Sequence, residues 1–344
     1  MSFLMGEIEV SSDSPVLVIP EIGINHAGSL SVAKEMAASA HRAGARLIKH
    51  QTHICEDEMS GAARSVVPGN SDRSIYDIME SCALDEEEER AFKDYVESLG
   101  MMFISTPFSR AAAERLERLG VGAYKIGSGE CNNYPLVEHI AEYGKPMIIS
   151  TGMNDLPSIE KTVSILERYG VTYALMHTTN LYPTKPEWVR LGAMRELMEA
   201  FPGVEIGLSD HTLNNNACIA AMGLGATLVE RHYTDRMDRI GPDIICSMDE
   251  VALGELLKAA GEIPQMRGGS KCAIPEEKVT IDFAFATVVT IKDVRVGETF
   301  TKDNLWVKRP GTGEFPAAEY DNILGRVANT DISADTQLSR EMIR

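Results

Sequence analysis

The sequence predicts an α/β protein: a closed (β/α)8, or TIM, barrel followed by a small β-rich domain. Three features point there. Between residues 16 and 267, eight short apolar runs of strand length alternate with longer amphipathic stretches, and a strand, a helix and a parallel strand in succession form the right-handed crossover unit from which such barrels close. Several amphipathic stretches open on Ser, Asp or Asn and end on Gly, the punctuation of helices. The first strand is not followed by a GxGxxG turn, which removes the main support for an open, dinucleotide-binding sheet.

After a polar leader, the strand candidates in order are VLVIPEI (16–22), RLIKHQ (46–51), MMFIST (101–106), AYKIG (123–127), PMIIS (146–150), YALMH (173–177), VEIGL (204–208) and TLVER (227–231). Helix-like segments lie between them, among them SLSVAKEMAASAHRAG, DEEEERAFKDYVESLG, SRAAAERLERLG, LPSIEKTVSILERYG and NNNACIAAMGLG, with one more near 248–260. A long irregular segment, 54 to about 76, follows the second strand; loops of that length inside compact folds tend to be functional. The expected division is a barrel over 1–267, a linker over 268–281 in "RGGSKCAIPEEK", and a β-rich module with turn glycines over 282–344.

The 344 residues are 44% hydrophobic, enough for a sizeable core, and carry 51 Asp plus Glu against 33 Lys plus Arg. The resulting charge of −18 argues against nucleic acid or an anionic membrane as partner. No leader of signal type and no apolar run of about 18 residues occurs, so the expected compartment is the cytoplasm. The six cysteines lack CxxC spacing and read as reduced thiols rather than a disulfide framework or zinc site.

In a barrel, chemistry collects where the strands end. The last two strand candidates run into His211 ("GLSDHT") and His232 ("LVERHYT"). Consecutive strands joined by one helix are neighbours about 4.8 Å apart, so both imidazoles could reach one cation. Gly207, Ser209 and His211 share a face, as do Leu228, Glu230 and His232. Two His ligands without a third protein ligand leave open positions, which suits a catalytic divalent ion such as Mn2+ more than structural zinc. The plainer alternative is a pair of hydrogen-bonded strand-end histidines.

A second set is cationic and hydroxylic. Lys49 and Gln51 share a face in "LIKHQ", with His50 turned toward the helices; Lys125 lies in "YKIGSGE", Thr106 in "FISTPF", and Ser150 in "IISTG". Buried lysines need anionic partners, and either Glu21, Glu130 and Glu230 or a ligand could supply them. Ser128 follows a glycine, where backbone N–H groups can approach phosphate or carboxylate closely. Together these residues predict a small, doubly anionic substrate beside a divalent ion. Glu21, which shares parity with Asn25, could orient or deprotonate water, and Asn180 and Tyr182 add a polar rim. No Ser-His-Asp or Cys-His set is evident.

The stretches "EIGINHAGSL", "KHQTHICEDEMS", "FISTPFSR", "YKIGSGECNNYPL", "STGMN", "GLSDHT", "ERHYTDRMDRIGPDI" and "NLWVKRPG" together resemble the bacterial sialic acid (N-acetylneuraminate) synthases, which condense phosphoenolpyruvate with N-acetylmannosamine. The resemblance runs from about residue 16 onward and implies a TIM barrel with a small domain like type III antifreeze proteins (SAF), in a domain-swapped homodimer whose small domains cover the partner's site. By motif, it implies Mn2+ (or Mg2+ or Co2+) on His211 and His232, and phosphoenolpyruvate on Lys49, Thr106, Lys125, Ser128, Ser150, Asn180 and Tyr182, with Gln51 a further substrate-binding candidate beside Lys49. It puts the amino sugar on Asn70, Glu130 and Asp243, with Phe283 (or Phe285, since "DFAFA" offers both) and Arg309 from the other subunit. Acceptors that would share this chemistry are a 2,4-diacetamido sugar, giving legionaminic or pseudaminic acid, and N-acetylmannosamine 6-phosphate. A metal-dependent aldolase on the same barrel and an antifreeze-like binding module without activity are the rivals of other classes.

Overall fold

The computed structural model describes residues 3–68 and 72–344, and the chain divides into two compact units at Gly268/Gly269. The first opens with a hairpin, β1 (Phe3–Met5) antiparallel to β2 (Ile8–Val10). A closed barrel of eight parallel strands follows, each strand beside the next in sequence: β3 (Leu17–Gly23), β4 (Leu47–Thr52), β5 (Met102–Pro107), β6 (Tyr124–Ile126), β7 (Met147–Ser150), β8 (Tyr173–Thr178), β9 (Glu205–Asp210) and β10 (Leu228–His232), which pairs back onto β3. The expected barrel is therefore present, each strand within a few residues of its anticipated span.

Helices α1 (Leu30–Ala43), α4 (Glu86–Ser98), α5 (Arg110–Leu119), α6 (Tyr134–Ala141), α7 (Leu156–Arg168), α8 (Leu191–Ala200), α9 (Asn216–Gly223) and α10 (Glu250–Met266) follow the barrel strands, while α2 (Cys55–Glu58) and α3 (Ile75–Cys82) lie in the long segment after β4. Their ends follow from local chemistry. Ser29, Asp85, Ser109 and Asp155 accept a backbone N–H at the starts of α1, α4, α5 and α7, and Gly44 and Gly120 take the left-handed conformation that closes α1 and α5. Four glutamates fill the first turn of α4, where the helix dipole favours negative charge.

Strand alternation makes two cores. Val18, Ile22, Ile48 and Phe103 face the helices; Leu17, Ile19, Leu47, Ile104, Ile148, Met176 and Leu228 fill the barrel interior together with Phe3, Met5, Ile8 and Val10 of the hairpin. The leader is thus a plug beneath the barrel, not a polar tail. Each such side chain contributes about 1.5–3 kcal/mol by leaving water. Along the inward faces the chemistry changes from apolar to polar toward the C-terminal strand ends, as in Leu17–Ile19–Glu21, Leu47–Lys49–Gln51 and Leu228–Glu230–His232. The barrel is greasy below and ionic above.

The second unit holds α11 (Lys278–Ala284), β11 (Thr287–Thr290) paired antiparallel with β12 (Leu305–Lys308), several isolated bridges, and α12 (Tyr320–Ile323). Its own core gathers Val288, Val294, Phe300, Leu305, Phe315, Ile332 and Leu338. The stretch expected as linker is not wholly irregular, because α11 begins within it, supported by a Lys278–Asp282 pair one turn apart. No helix among the described residues is long and apolar enough to cross a membrane.

Candidate active site

The strand ends enclose a cavity of about 130 Å³ lined by Glu21, Lys49, Gln51, Thr106, Phe108, Lys125, Ser128, Ser150, Thr178, Asn180, Tyr182, Ser209, His211, Glu230 and His232. A larger cavity, about 540 Å³, lies between the loops after β8 and β9. Its lining is mostly apolar and holds no carboxylate or imidazole, so the acid–base chemistry belongs to the smaller one.

Two lysines and two carboxylates form its floor. Lys49 Nζ lies 2.6 Å from Glu21 Oε2 and 3.6 Å from Glu230 Oε1, and donates to Thr106 Oγ at 3.2 Å. Lys125 Nζ donates to Ser150 Oγ at 2.6 Å and to the Ile126 carbonyl, with Glu230 Oε2 at 3.9 Å. All four charged groups are buried. Burial alone would strip Lys49 of its proton, but Glu21 and Glu230 more than offset it and hold its pKa above the ordinary lysine value. Lys125 has weaker compensation: burial, offset in part by Glu230 and reinforced by Lys49, brings it down to about 8. Glu230 is held below the usual carboxylate range despite its burial, because Lys125 and Lys49 flank it. The two ammonium groups and the two carboxylates balance one another inside the protein, and an incoming anion meets ammonium groups already fixed in place.

Around this floor is a small-donor cradle. Ser128 Oγ accepts the Gly152 N–H at 3.1 Å, and Asn154 Nδ2 donates to the carbonyls of Ser128 and Gly152. Gly152 has no room for a side chain: a Cβ would fall 1.9 Å from Asn180 Oδ1 and 2.8 Å from Ser128 Oγ. Asn180 Oδ1 itself is buried without a partner, and such an atom is costly unless a ligand or water satisfies it.

The two histidines stand side by side, ring centroids 5.5 Å apart, with Tyr182 packed over His211 at 4.1 Å. His211 Nδ1 donates to the Thr179 carbonyl at 2.9 Å, which leaves the lone pair on Nε2. Burial and then His232 push His211 down to about 3, so it is neutral, as a metal ligand must be. His232 Nδ1 is buried without a hydrogen-bond partner, 3.8 Å from Asp243 Oδ2. Among the described residues no group of three or more His, Cys, Asp or Glu forms a metal cage. The pair therefore fits a divalent ion that completes its shell with substrate or water oxygens and does not fit a closed structural site. A β-bulge crowds Glu21 against it. The β3–β4 register slips between Glu21 and Gly23, and Gly23, at φ +50°, leaves Glu21 Oε1, His232 and Gln51 converging where a Cβ would sit.

Of the residues anticipated from sequence, Glu21, Lys49, Gln51, Thr106, Lys125, Ser128, Ser150, Asn180, Tyr182, His211 and His232 meet at the cavity. Glu130 does not; its carboxylate accepts Asn133 Nδ2 at 2.6 Å, so of the three candidate counterions only Glu21 and Glu230 reach the lysines. Asp243 stands outside the lining, behind His232. Asn70 lies outside the described residues. Phe283, Phe285 and Arg309 belong to the second unit, where all three are exposed. Asn25 does not share the cavity with Glu21: it donates to the Tyr233 carbonyl and to Ser247 Oγ, because the bulge breaks the strand alternation between them. Phe108, stacked on His53 at 4.5 Å, and Thr178 escaped sequence reasoning. Thr178 could have been found by stepping back two residues from Asn180.

Comparison with known proteins bears on the same site. The sequence model of the NeuB family matches residues 36–271, and that of the SAF domain matches 285–344. An N,N'-diacetyllegionaminic acid synthase of Campylobacter jejuni is 32% identical, over 94% of this chain and 99% of its own. The human N-acetylneuraminate-9-phosphate synthase is 29% identical, over 97% and 94%. The crystal structure of a sialic acid synthetase from Leptospira borgpetersenii, in complex with citrate, superposes with a TM-score of 0.74 at 26% identity, covering 82% of this chain and 95% of that one. With the barrel, the cavity at its strand ends and the family match over most of its length, the chain belongs to the NeuB family and carries a SAF domain after its barrel.

Proposed function

We propose that this enzyme condenses phosphoenolpyruvate with N-acetylmannosamine and water to give N-acetylneuraminic acid and phosphate. The observation that carries the reading is the pairing, in one small cavity, of two buried lysines and a hydroxyl-and-amide cradle with two adjacent imidazoles. Lys49, Lys125, Thr106, Ser128, Ser150 and Asn180 bind the phosphate and carboxylate of the enolpyruvate, and the water-poor site strengthens each contact. A divalent ion, Mn2+ in the first place, held by His211 and His232 would polarise the aldehyde of the open-chain sugar. C3 of the enolpyruvate forms the new bond to that aldehyde carbon as electrons leave C2. Glu21 Oε1, buried and without a partner, accepts the proton of the water that adds at C2. The tetrahedral adduct then loses phosphate by breaking its C2–O bond. The acceptor sugar in this reading reaches beyond the cavity, where Glu130, Asp243 and Asn70 would contact it, with Phe283 and Arg309 of the second copy in a homodimer.

The relative that makes a diacetylated legionaminic acid favours a second acceptor, a 2,4-diacetamido sugar. Phosphate release from phosphoenolpyruvate with Mn2+ across a panel of amino sugars tests both. Turnover fastest with N-acetylmannosamine supports the first reading; turnover confined to a diacetamido or 6-phosphorylated sugar moves the assignment to that acceptor; no release with any sugar overturns the proposal.

Two consequences arise here. Gly152→Ala should fold yet displace Asn180 from the cradle, lowering kcat/KM for phosphoenolpyruvate about 100-fold; steady-state kinetics with a thermal melt checks it. The second concerns pH. Lys125 is charged below about 8 and neutral above it, so kcat/KM should fall as pH rises through that value. A bound anion favours the ammonium form, so the corresponding fall in kcat should lie at higher pH. Parallel pH profiles of both constants decide.

A further inference from the structure

On the outer face of the same strands lies a buried polar cluster that the reaction does not use. Glu89 of α4 is fully buried and is approached by Thr52 Oγ at 2.5 Å, His50 Nδ1 at 3.2 Å and Arg115 Nη1 at 3.3 Å. A carboxylate paired with arginine only accepts. His50 therefore carries its proton on Nδ1, and Thr52 directs its single O–H to Glu89. His50 Nε2 and His26 Nε2 lie 3.3 Å apart and share a hydrogen bond, and Thr52 accepts from Ser105 Oγ at 2.7 Å. His50, Thr52 and Arg115 thus direct donors at one carboxylate, and His26 and Ser105 are tied to it through one neighbour each. Phe92 and Phe103 wall in the His50 ring at 5.6 and 6.0 Å. Burial, then His50 and His53, push His26 down to about 3, so its imidazole stays neutral.

Strand alternation couples this cluster to the cavity. His50 and Thr52 alternate along β4 with Lys49 and Gln51, Ser105 directly precedes Thr106 on β5, and His26 sits in the turn after Glu21 and Gly23. Residues held from outside are thus one peptide away from residues that line the site. Lys49 and Thr106 bond to each other across the same two strands. An apolar cluster of equal volume would stabilise the barrel as well or better; what a fully satisfied polar one adds is a single fixed geometry.

We propose that Glu89 is a positioning residue for the phosphoenolpyruvate half of the site, fixing through His50, Thr52, Ser105 and His26 the strand ends that present Lys49, Gln51, Thr106 and Glu21. The inference rests on phosphoenolpyruvate being the substrate. The test uses the full chain with Glu89→Gln and Glu89→Met, titrating phosphoenolpyruvate and the sugar separately, with thermal melts and ¹⁵N imidazole spectra. Both variants should fold but melt below wild type, Glu89→Met the lower, because the donors of His50, Thr52 and Arg115 lose their acceptor. KM for phosphoenolpyruvate should rise about tenfold and that for the sugar stay unchanged. Wild-type spectra should show His50 protonated on Nδ1, and Glu89→Met should remove that preference. Thr52→Val, which removes one donor, should give the same kinetic split if the Glu89 variants fail to fold. Folded variants with wild-type KM for phosphoenolpyruvate, or wild-type His50 unprotonated on Nδ1, overturn the inference. A wild-type enzyme that releases no phosphate overturns the proposed function instead.

Discussion

Lys49→Met should lower kcat/KM for phosphoenolpyruvate about 10³-fold, the scale on which a preorganised charge stabiliser is lost, and should destabilise the fold by about 3 kcal/mol. Both effects have one cause. Lys49 is the nearest cation to Glu21 and also touches Glu230, so its removal deletes a substrate contact and strands carboxylates in a buried site. The double variant Lys49→Met/Glu21→Gln separates the two effects. Removing the stranded charge should restore most of the melting temperature but none of the turnover. Residual turnover in the double variant equal to that of Glu21→Gln alone would mean that Lys49 serves only as a counterion. Urea unfolding and phosphate-release kinetics on the three variants give the answer.

His232→Ala should abolish Mn2+ binding and turnover together, each by at least about 10²-fold, while leaving the barrel intact. The fold is spared for a structural reason: His232 Nδ1 makes no hydrogen bond, and its loss orphans no other group. Titration calorimetry with Mn2+ reads the binding directly and does not depend on activity. His211→Ala should act alike, with a small added cost because the Thr179 carbonyl loses one of its donors and keeps those of Thr184 and Leu181. Unchanged metal-dependent turnover in either variant would contradict the ligand role.

Where side chains alternate without interruption, the sequence was readable to the residue. Lys49 with Gln51, Ser209 with His211, and Glu230 with His232 all face the cavity because period-two geometry leaves no alternative once the barrel closes. Legibility stopped where that period broke. The bulge before Gly23 turned Asn25 away, and the turn after β6 carried Glu130 outward although Ser128, two residues earlier, stays in. The opening hairpin also escaped. Phe3, Met5, Ile8 and Val10 do alternate, but three-residue strands split by Gly6 and Glu7 read as a polar leader until the open end of a barrel exists to bury them. Glu89 was hidden differently: it is one of four glutamates in the first turn of α4, and only packing against β4 distinguishes it from its solvated neighbours.

In the proposed reaction a lysine-lined cradle holds phosphoenolpyruvate while water attacks its C2, so that the C–O bond breaks. Running the reaction in ¹⁸O-enriched water and analysing the released phosphate by mass spectrometry tests it most directly. Phosphate carrying no solvent oxygen is the result expected; ¹⁸O in the phosphate would mean attack at phosphorus and would contradict the account.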